Sequence, residues 1–515
     1  GIVGEVHLAG DRVALGYVGD PALSARTFVP DPFSARPGAR MVRTGDLGRF
    51  TADGVVELTG RDDRAGEFAE IEGVLAAHPR VTGARVSVRE DRLVAEVVPR
   101  DDGAEVISSW ASVYDGVYAA ADEFAPWQDS FTGKPIPEAR MRDWLAGTVD
   151  RIADLNPKRV LEIGAGTGLV MRGLIERGQV EHYRATDVSA TATERLAACE
   201  STSDTVVEVV RGDALGALAD AGTGYDVVVV NSVAQYFPST RYLDQLVGAA
   251  IEAVAPGGHV FLGDLRNAEL LESFAHLKHY LLDPDAAPEA VVDKAAHELR
   301  TDGELSVSPA HLAAYPSRWR RITAVEIAPR RGEYPDEMTL YRYDAVLHVG
   351  CPAPDTDVEW EPGAGLSLRA VERRLTGDRG AFGLRGVPNA RLAEADHVLE
   401  LCGAPSAGSG HGLDPQALWR LGERHGRHVR ISWAAADPTG AYDVSFTREA
   451  GHHLLADPVT RTHEVAGGRG ALFPPLVESA LLAELRAALA DRLPTALIPA
   501  DLSLVDSIEE DDRAR

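Results

Sequence analysis

Short apolar runs of strand length alternate with amphipathic stretches of helical length through the middle of the chain. Five such runs follow one another, at Arg159–Ile163, His182–Thr186, Thr205–Arg211, Tyr225–Val230 and His259–Gly263. Strands that alternate with helices indicate βαβ units and a mostly parallel sheet. Tyr343–Gly350 is predicted to close this sheet as a late strand, so the expected fold class of the central region is α/β.

The region before the sheet has a different character. Residues 1–59 are rich in Gly and Pro and carry short β-type runs, which indicates a small β-rich unit. Residues 60–105 combine a helical stretch, Glu67–Ala77, with two strand-like runs and end in the polar linker "PRDDGAE". Because the chain begins in mid-strand pattern, "GIVGEVHLAG", the sequence also predicts a fragment or remnant at this end.

The region after the sheet gives a weaker signal. Residues 351–473 are loop-rich and predict an α+β segment, while residues 475–492 read as a helix followed by the charged tail "EEDDRAR". The pattern therefore divides the chain into five segments, at 1–59, 60–105, 106–350, 351–473 and 474–515.

Charge and composition exclude several classes of protein. The 515 residues include 52 Lys and Arg against 79 Asp and Glu, a net charge of −27 that repels a phosphate backbone, so no nucleic-acid partner is expected. The three cysteines are far apart and form no disulfide framework, which favours a reducing, cytoplasmic location. No leader pattern or apolar run of spanning length is present, so no membrane association is expected.

The stretch "VLEIGAGTGLV" carries the strongest chemical signal. Gly164, Gly166 and Gly168 follow a predicted strand and precede a predicted helix, where glycine lets the backbone turn sharply and approach a ligand. These glycines are two residues apart, unlike the dinucleotide pattern G-x-G-x-x-G, and Glu162 precedes them. This spacing favours S-adenosylmethionine over NAD, although a purely structural turn is the alternative.

Polar residues at the ends of the next strands support a ligand at this edge of the sheet. The carboxyl ends of parallel strands are where open α/β sheets bind ligands, and an acidic residue after the second strand can hold ribose hydroxyls. The predicted cofactor-contacting residues are Glu162, Gly164, Ala165, Gly166, Thr167, Gly168, Asp187, Val188, Gly212, Asp213, Ala214, Asn231 and Ser232.

Residues 106–350 resemble the methyltransferase domains inserted into nonribosomal peptide synthetases. The matching stretches are "WASVYDGVYA", "DSFTGKPIP", "VLEIGAGTGL", "NSVAQYFPS", "PGGHVFLGDLR" and "DEMTLYRYDAVLHVG". The resemblance implies a Rossmann-like class I methyltransferase fold and S-adenosylmethionine as methyl donor. It also implies N-methylation of the α-amino group of an aminoacyl thioester on a peptidyl carrier protein.

The flanks resemble a split adenylation domain. "GEVHLAGDRVALGYV", "VRTGDLGRF" with Asp46, "GRDD" with Asp63 and "LPTALIP" match its sixth to ninth core motifs. The resemblance implies that residues 1–59 end the adenylation core, that 60–105 and 474–515 form two parts of its α+β C-terminal subdomain, and that 351–473 is a methyltransferase appendage. Partners implied are the aminoacyl-phosphopantetheine carrier, other synthetase domains and an MbtH-like protein.

The adenylation motifs depart from the family pattern. The loop after Asp63 is short and lacks its basic stretch, and the tail "LVDSIEEDDRAR" has no lysine to neutralise a developing phosphate charge. The large adenylation core is absent. We therefore expect that this chain alone neither binds ATP or AMP nor activates an amino acid.

Candidate catalytic residues lie at the methyl-transfer end of the predicted sheet. Asn231 and Gln235 can accept hydrogen bonds from an amine, Tyr236 can orient it, and Asp264 can take its proton. Two further candidates are Arg266, to hold the pantetheine or a carbonyl, and Glu337, a second base by family position. For Tyr236 and Arg266 the ordinary alternatives are a core aromatic and a surface ion pair.

Several alternatives remain open from the residues alone. Trp110, Tyr114, Tyr118 and Trp127 form either a lid over the donor or plain helix packing, with packing favoured for Trp110. No metal site is predicted, because His425 and His428 have no acidic or cysteine partners nearby in sequence. The competing functions are methylation of oxygen, sulfur or carbon, epimerisation at the α-carbon, and a non-catalytic scaffold.

Overall fold

A computed structural model provides the structure of the chain. It describes residues 4–18, 21–51, 54–61, 65–78, 80–89, 92–99, 104–119, 127–198, 205–351, 358–377, 380–406, 412–448, 475–494 and 497–505. Asp63 and the charged tail from 506 onward lie outside these ranges. The chain divides into two compact units, one of Gly1–Arg100 with Ser479–Arg515 and one of Asp101–Glu478.

The first unit contains two small sheets. Its elements are β1 (Gly4–Ala9), α1 (Pro21–Thr27), β2 (Phe28–Pro30), β3 (Arg40–Phe50), β4 (Val56–Arg61), α2 (Ala65–Ala76), β5 (Val81–Arg89) and β6 (Arg92–Pro99). One sheet has the order β1-β3-β2 with β4 also on β3, and β5 and β6 belong to the other. The helix Pro475–Arg492 leads into this unit from the other end of the chain.

The two ends of the chain meet in that second small sheet. The strand Asp501–Leu504 pairs in parallel with β6, with Asp501 opposite Val94. The side chains of Ile71 and Leu75 on α2 and of Val97 on β6 are buried. A strand from beyond residue 500 therefore completes a sheet begun within the first hundred residues.

The second unit is built on a seven-stranded sheet. Its strands are β9 (Arg159–Ile163), β10 (His182–Asp187), β11 (Val206–Arg211), β12 (Tyr225–Asn231), β13 (Val254–Arg266), β14 (Ile322–Pro329) and β15 (Arg342–Val349), after a short hairpin of β7 (Gln128–Asp129) and β8 (Lys134–Pro135). The order is β11-β10-β9-β12-β13-β15-β14. The first five strands are parallel, and β15 and β14 are antiparallel additions.

Helices cover both faces of this sheet. They are α3 (Ala104–Ala119), α4 (Glu138–Ala153), α5 (Leu169–Glu176), α6 (Ala190–Ala197), α7 (Ala214–Ala221), α8 (Thr240–Ala253), α9 (Leu271–Leu282), α10 (Pro288–Thr301), α11 (Pro309–Ala313), α12 (Tyr315–Arg318) and α13 (Glu337–Leu340). The run Val227–Val230 in β12 is fully buried, as expected of a strand covered on both sides. The Rossmann-like, mostly parallel α/β fold predicted for this region is confirmed.

The appendage that follows has its own mixed sheet. Its elements are β16 (Glu359–Pro362), α14 (Leu368–Thr376), β17 (Phe382–Val387), α15 (Ala393–Leu401), α16 (Pro415–Arg424), β18 (His428–Ser432) and β19 (Tyr442–Thr447), with the strand order β16-β17-β19-β18. Its buried side chains Val371, Phe382 and Val444 belong to the same apolar cluster as Leu347 of the seven-stranded sheet. The appendage and the seven-stranded sheet therefore share one core.

Arg391 joins the appendage to the sheet through polar contacts. Its guanidinium donates hydrogen bonds to the carbonyl oxygens of Arg330 (2.9 Å), Gly332 (3.1 Å) and Thr339 (3.3 Å), and its Nε donates to Asp414 (2.8 Å).

In the described part of the chain, no helix has both the length and the apolar character that crossing a bilayer requires.

Candidate S-adenosylmethionine site

The loop between β9 and α5 has a geometry that requires glycine. Gly164, Gly166 and Gly168 have φ values of 72°, 55° and 81°, in the left-handed region. A Cβ on Gly164 would lie 2.5 Å from a methyl group of Val233. The backbone N–H groups of Gly164 and Ala165 both donate to the carbonyl oxygen of Thr186, which ties the loop to β10.

A cavity of about 150 Å³ lies at the carboxyl edge of the sheet, next to this loop. Seven of the predicted cofactor residues line it, namely Gly164, Asp187, Val188, Gly212, Asp213, Ala214 and Ser232. They come from the ends of four different strands, β9, β10, β11 and β12, because the carboxyl ends of parallel strands converge on one edge. The structure therefore brings together the polar groups that the sequence places far apart.

The remaining predicted cofactor residues do not line the cavity; these are Glu162, Ala165, Gly166, Thr167, Gly168 and Asn231. Glu162 is buried beneath the loop, where its carboxylate accepts a 2.7 Å hydrogen bond from the Tyr183 hydroxyl. Burial raises the pKa of Glu162 to about 7, with a further contribution from the charge of Asp187. In this structure Glu162 supports the loop from below.

Asp187 connects the loop to the cavity. One carboxylate oxygen accepts from the Gly166 N–H (2.8 Å) and the other from the Ser189 N–H (2.9 Å). Burial raises the pKa of Asp187, while these two backbone donors oppose the rise. Its position at the end of β10, on the cavity wall, suits a carboxylate that receives ribose hydroxyls.

Aromatic side chains cover the cavity from the side of α3. Trp110, Tyr114, Tyr118 and Trp127 all line it. Trp110 also packs on Tyr236, with ring centroids 4.6 Å apart. Trp110 therefore both packs and faces the cavity, a combination that helical spacing alone does not reveal.

Asp115 fixes α3 over the site, and sequence reasoning missed it. Its carboxylate accepts hydrogen bonds from the Ser189 hydroxyl (2.5 Å) and the Thr191 N–H (3.2 Å), at the start of α6. The Ser189 hydrogen bond holds the pKa of Asp115 below its ordinary value. No local pattern marks a carboxylate whose partners lie more than seventy residues away.

Three of the predicted catalytic residues, Asn231, Asp264 and Glu337, belong to one polar network that includes Ser232 on the cavity wall. Ser232 Oγ donates to Asp264 Oδ2 (2.7 Å), and Asn231 Nδ2 donates to Ser232 Oγ (3.3 Å). The Arg342 guanidinium bridges Asp264 (3.2 Å) and Glu337. Arg342, which the sequence did not single out as a site residue, thus holds two candidate bases together.

Four buried side-chain oxygens on the predicted catalytic residues accept no hydrogen bond from the described residues, namely Asn231 Oδ1, Gln235 Oε1, Asp264 Oδ1 and Glu337 Oε2. The Arg330 guanidinium lies 3.6 Å from Asp264 Oδ1. Burial by itself would raise the pKa of Glu337, but the charge of Arg342 and the hydrogen bonds with Ser130 and Arg342 together hold that pKa below its ordinary value. Buried acceptors without donors are rare in folded proteins, so this group is suited to a ligand that donates hydrogen bonds.

Arg266 and Tyr236 lie at the border of the network. The Arg266 guanidinium is paired with Asp302 (2.6 Å) and Glu304 (3.2 Å), so its charge is already balanced within the chain. Tyr236 lines the cavity, and its burial and the charge of Glu304 raise its pKa. Arg266 thus forms the ion pair that was its ordinary alternative. Tyr236 packs as an aromatic against Trp110 and also lines the cavity.

Comparison with known proteins identifies the central region. Residues 161–260 match the family model described as a methyltransferase domain. Chondramide synthase cmdD of Chondromyces crocatus is 34% identical over 97% of this chain, which covers 14% of that synthase. The nonribosomal peptide synthetase CymA of Salinispora arenicola is 34% identical over 99% of the chain, and cyclosporin synthetase simA of Tolypocladium inflatum is 28% identical over 98%. The chain spans 6% and 4% of those two relatives.

Among solved structures, the complex of DhpI with S-adenosylhomocysteine overlaps 48% of this chain and 97% of its own, at 18% identity and a TM-score of 0.31. The fold assignment rests on the strand order of this chain and on the family match. Residues 161–260 thus belong to a methyltransferase domain that takes S-adenosylmethionine as methyl donor, carried in a chain related over nearly all its length to nonribosomal peptide synthetases.

Proposed function

We propose that this chain N-methylates the α-amino group of an aminoacyl thioester carried by a peptidyl carrier protein. The observation that carries the proposal is the group of four unsatisfied buried oxygens, on Asn231, Gln235, Asp264 and Glu337. An amine donates two or three hydrogen bonds, whereas a hydroxyl donates one and an α-carbon none. The group therefore favours nitrogen over oxygen, sulfur or carbon as acceptor.

The chemistry asks the protein to align and deprotonate the amine. S-adenosylmethionine, when bound, supplies the methyl group. An α-amino group has a pKa near ~8, so a modest base suffices to deprotonate it. We assign this role to Asp264, since Ser232 and Arg342 occupy its Oδ2, while its Oδ1 accepts no hydrogen bond from the described residues and lies 3.6 Å from the Arg330 guanidinium. The contacts with Arg342 favour the ionised form of Glu337. In this proposal its negative charge attracts and positions the amine.

Related synthetases support a carrier-bound substrate. The relatives that match along nearly the whole chain include chondramide synthase and a nonribosomal peptide synthetase, of which this chain spans 14% and 6%. We therefore propose that the partners are an aminoacyl-phosphopantetheine carrier and neighbouring synthetase domains. The flanking unit does not supply adenylation in this proposal, and ATP–pyrophosphate exchange by the chain alone would contradict that part.

The test combines the chain, S-adenosylmethionine with a deuterated methyl group, and carrier proteins loaded with a panel of aminoacyl groups. Intact-mass spectrometry should show one deuterated methyl on the carrier-bound group, and fragmentation should locate it on nitrogen. A methyl on oxygen, sulfur or carbon would replace the proposed acceptor. Deuterium exchange at the α-carbon without methyl transfer would establish epimerisation, and no binding of S-adenosylmethionine would indicate a scaffold.

Two variants separate catalysis from structure. Asp264→Asn should lower the rate of methyl transfer about 100-fold or more, the usual contribution of a general base, while S-adenosylmethionine still binds. Asp226→Asn is the matched control, because Asp226 lies near the start of β12, at the other end of the strand from Asn231, and accepts from the Lys158 and Arg159 N–H groups. Equal loss of rate in both variants would contradict the assignment of Asp264 as base.

A further inference from the structure

A group of metal-binding residue types lies at the edge of the sheet away from the methyl-transfer site. His259 on β13 and His348 on β15 are directly opposite in the antiparallel pairing, and Cys351 follows β15 after one glycine. One ligand atom from each of the three residues lies within 4.8 Å of the others. The pairing of β13 with β15 brings these residues together although they are far apart in sequence, so no sequence motif predicts the group.

The surroundings of His348 are those of a metal ligand. Its Nε2 lies 3.0 Å from Glu326 Oε1, and the second oxygen of Glu326 pairs with Arg430 of the appendage. An ionised carboxylate only accepts, so this contact places the ring proton on Nε2 and the lone pair on Nδ1. A carboxylate that orients a histidine in this way is the usual outer contact of a zinc-bound imidazole.

We propose that His259, His348 and Cys351 bind one Zn²⁺ ion. Two imidazoles and a thiolate suit zinc, and three protein ligands leave a fourth position for water. The Cys351 thiol releases its proton when its sulfur binds the metal. The side chains of His259 and His348 are 7% and 1% exposed, and the partly exposed Cys351 provides access.

The position of the site separates it from the methyl-transfer chemistry. His259 precedes Asp264 by five residues on β13, about 16 Å along a strand. Zinc there would fix Cys351, the first residue after the sheet, to two adjacent strands. Through Glu326 and Arg430 it would also stiffen the contact between β14 and β18. The zinc proposal and the methyl-transfer proposal can therefore be tested, and contradicted, independently of each other.

The experiment uses the full chain, made metal-free by dialysis against a chelator and titrated with Zn²⁺ in competition with a chromophoric chelator. We expect one ion per chain. Cys351→Ser should weaken binding by more than the about 10–100-fold expected of outer-contact changes such as Glu326→Gln. Cobalt substitution should give a thiolate-to-metal absorption band that Cys351→Ser abolishes.

Two control variants match the ligands in residue type. Cys402→Ser removes another partly exposed cysteine, and His311→Gln removes a buried histidine whose Nε2 contacts Asp244; both should leave zinc affinity unchanged. Zinc binding that survives Cys351→Ser, or that Cys402→Ser reduces equally, would show an adventitious ion only and overturn the proposal, as would no binding by the unmodified chain. S-adenosylmethionine affinity should be unchanged in Cys351→Ser, which keeps this test separate from that of the methyltransferase.

Discussion

Ser232 and Asp264 stand side by side in the same left-handed backbone conformation, with φ of 56° and 61°, and a 2.7 Å hydrogen bond joins Ser232 Oγ to Asp264 Oδ2. Residues with a side chain seldom adopt this conformation, which costs free energy and concentrates at functional sites. Asp264 lies where the pairing of β13 with β15 is irregular. Both residues are thus turned out of regular strand geometry toward the network that we assign to the amine.

This strain can be measured by comparing two substitutions that both remove the hydroxyl. The free energy of unfolding of Ser232→Gly should be about 1 kcal/mol larger than that of Ser232→Ala, because glycine adopts positive φ without a Cβ penalty. All seven tryptophans lie between residues 110 and 433, so tryptophan fluorescence in urea follows the unit that contains the site. Equal stability of the two variants would mean that the backbone at Ser232 is unstrained.

Methyl transfer should fall in both Ser232 variants. Each removes the hydrogen bond that occupies Asp264 Oδ2, and a hydrogen bond to a charged group contributes about 1.5–3 kcal/mol. Steady-state rates at saturating S-adenosylmethionine report this loss. A full rate in Ser232→Ala would show that the hydroxyl does not orient Asp264.

Gly166 offers a test of loop shape at the donor site. A Cβ added there would lie 2.9 Å from Tyr118 Oη, and φ is 55°. Gly166→Ala should therefore weaken S-adenosylmethionine binding about tenfold or more in calorimetry, since 1.4 kcal/mol is a factor of ten. Gly178→Ala is the control, because Gly178 has φ of 73° and open space around its Cβ position.

The control should lose stability but not affinity. Alanine in the left-handed region costs about 1–2 kcal/mol at either position, so both variants should be less stable. The double change Gly166→Ala with Tyr118→Phe should recover part of the binding, because it removes the clashing hydroxyl. Equal loss of affinity in Gly178→Ala would assign the effect to strain alone.

Glu162 predicts a definite pH dependence of stability. Its pKa is about 7 in the folded chain against an ordinary 4.5. Between these values the folded state holds one proton more than the unfolded state, so the free energy of unfolding falls as pH rises from 4.5 to 7 and then levels. The whole effect is of the order of a few kcal/mol.

Glu162→Gln should remove this dependence, because the amide stays neutral and can still accept from Tyr183. Urea titrations at pH 5, 6, 7 and 8 should therefore show the variant gaining on the unmodified chain as pH rises. Glu176→Gln, at an exposed position on α5, is the matched control and should follow the unmodified chain at every pH. A constant difference across this range would contradict the burial of an ionisable Glu162.

Asp115 should govern donor affinity through α3. Asp115→Ala removes the hydrogen bonds that fix the aromatic helix to the start of α6, so the Kd for S-adenosylmethionine should rise several-fold. We expect little change in the rate at saturation, because the amine network does not contain Asp115. Glu194→Ala, which removes an exposed carboxylate on α6, serves as control. Equal effects from both changes would show that the loss of a negative charge, and not the loss of the Asp115 hydrogen bonds, changes the affinity.

The sequence predicts the parts of this molecule that depend on local pattern. The five parallel strands follow from apolar runs, and the glycine loop from spacing and the need for positive φ. Asp187, Asp213 and Ser232 reach the cavity because parallel strands share an edge. The antiparallel strand β14 was not predicted.

What depends on distant pairing escaped prediction. Arg342 was read only as part of a strand motif, yet its guanidinium bridges Asp264 and Glu337. Asp115 finds Ser189 only when α3 folds over α6. His259 and His348 become neighbours only through the register of β13 with β15. Glu162 does not line the cavity, and its carboxylate accepts a hydrogen bond from the Tyr183 hydroxyl on the adjacent strand.

The contacts of Arg391 set the limits within which this catalytic region can be moved. A chain shortened to residue 350 would leave the carbonyl oxygens of Arg330, Gly332 and Thr339 without the Arg391 donor. It would also remove Val371, Phe382 and Val444 from the apolar cluster that they share with the seven-stranded sheet. When the catalytic region is transferred into another synthetase, Asp101–Glu478 should therefore be moved as one unit. Engineered junctions belong in the flanking unit, where strands already come from both sides of the insertion.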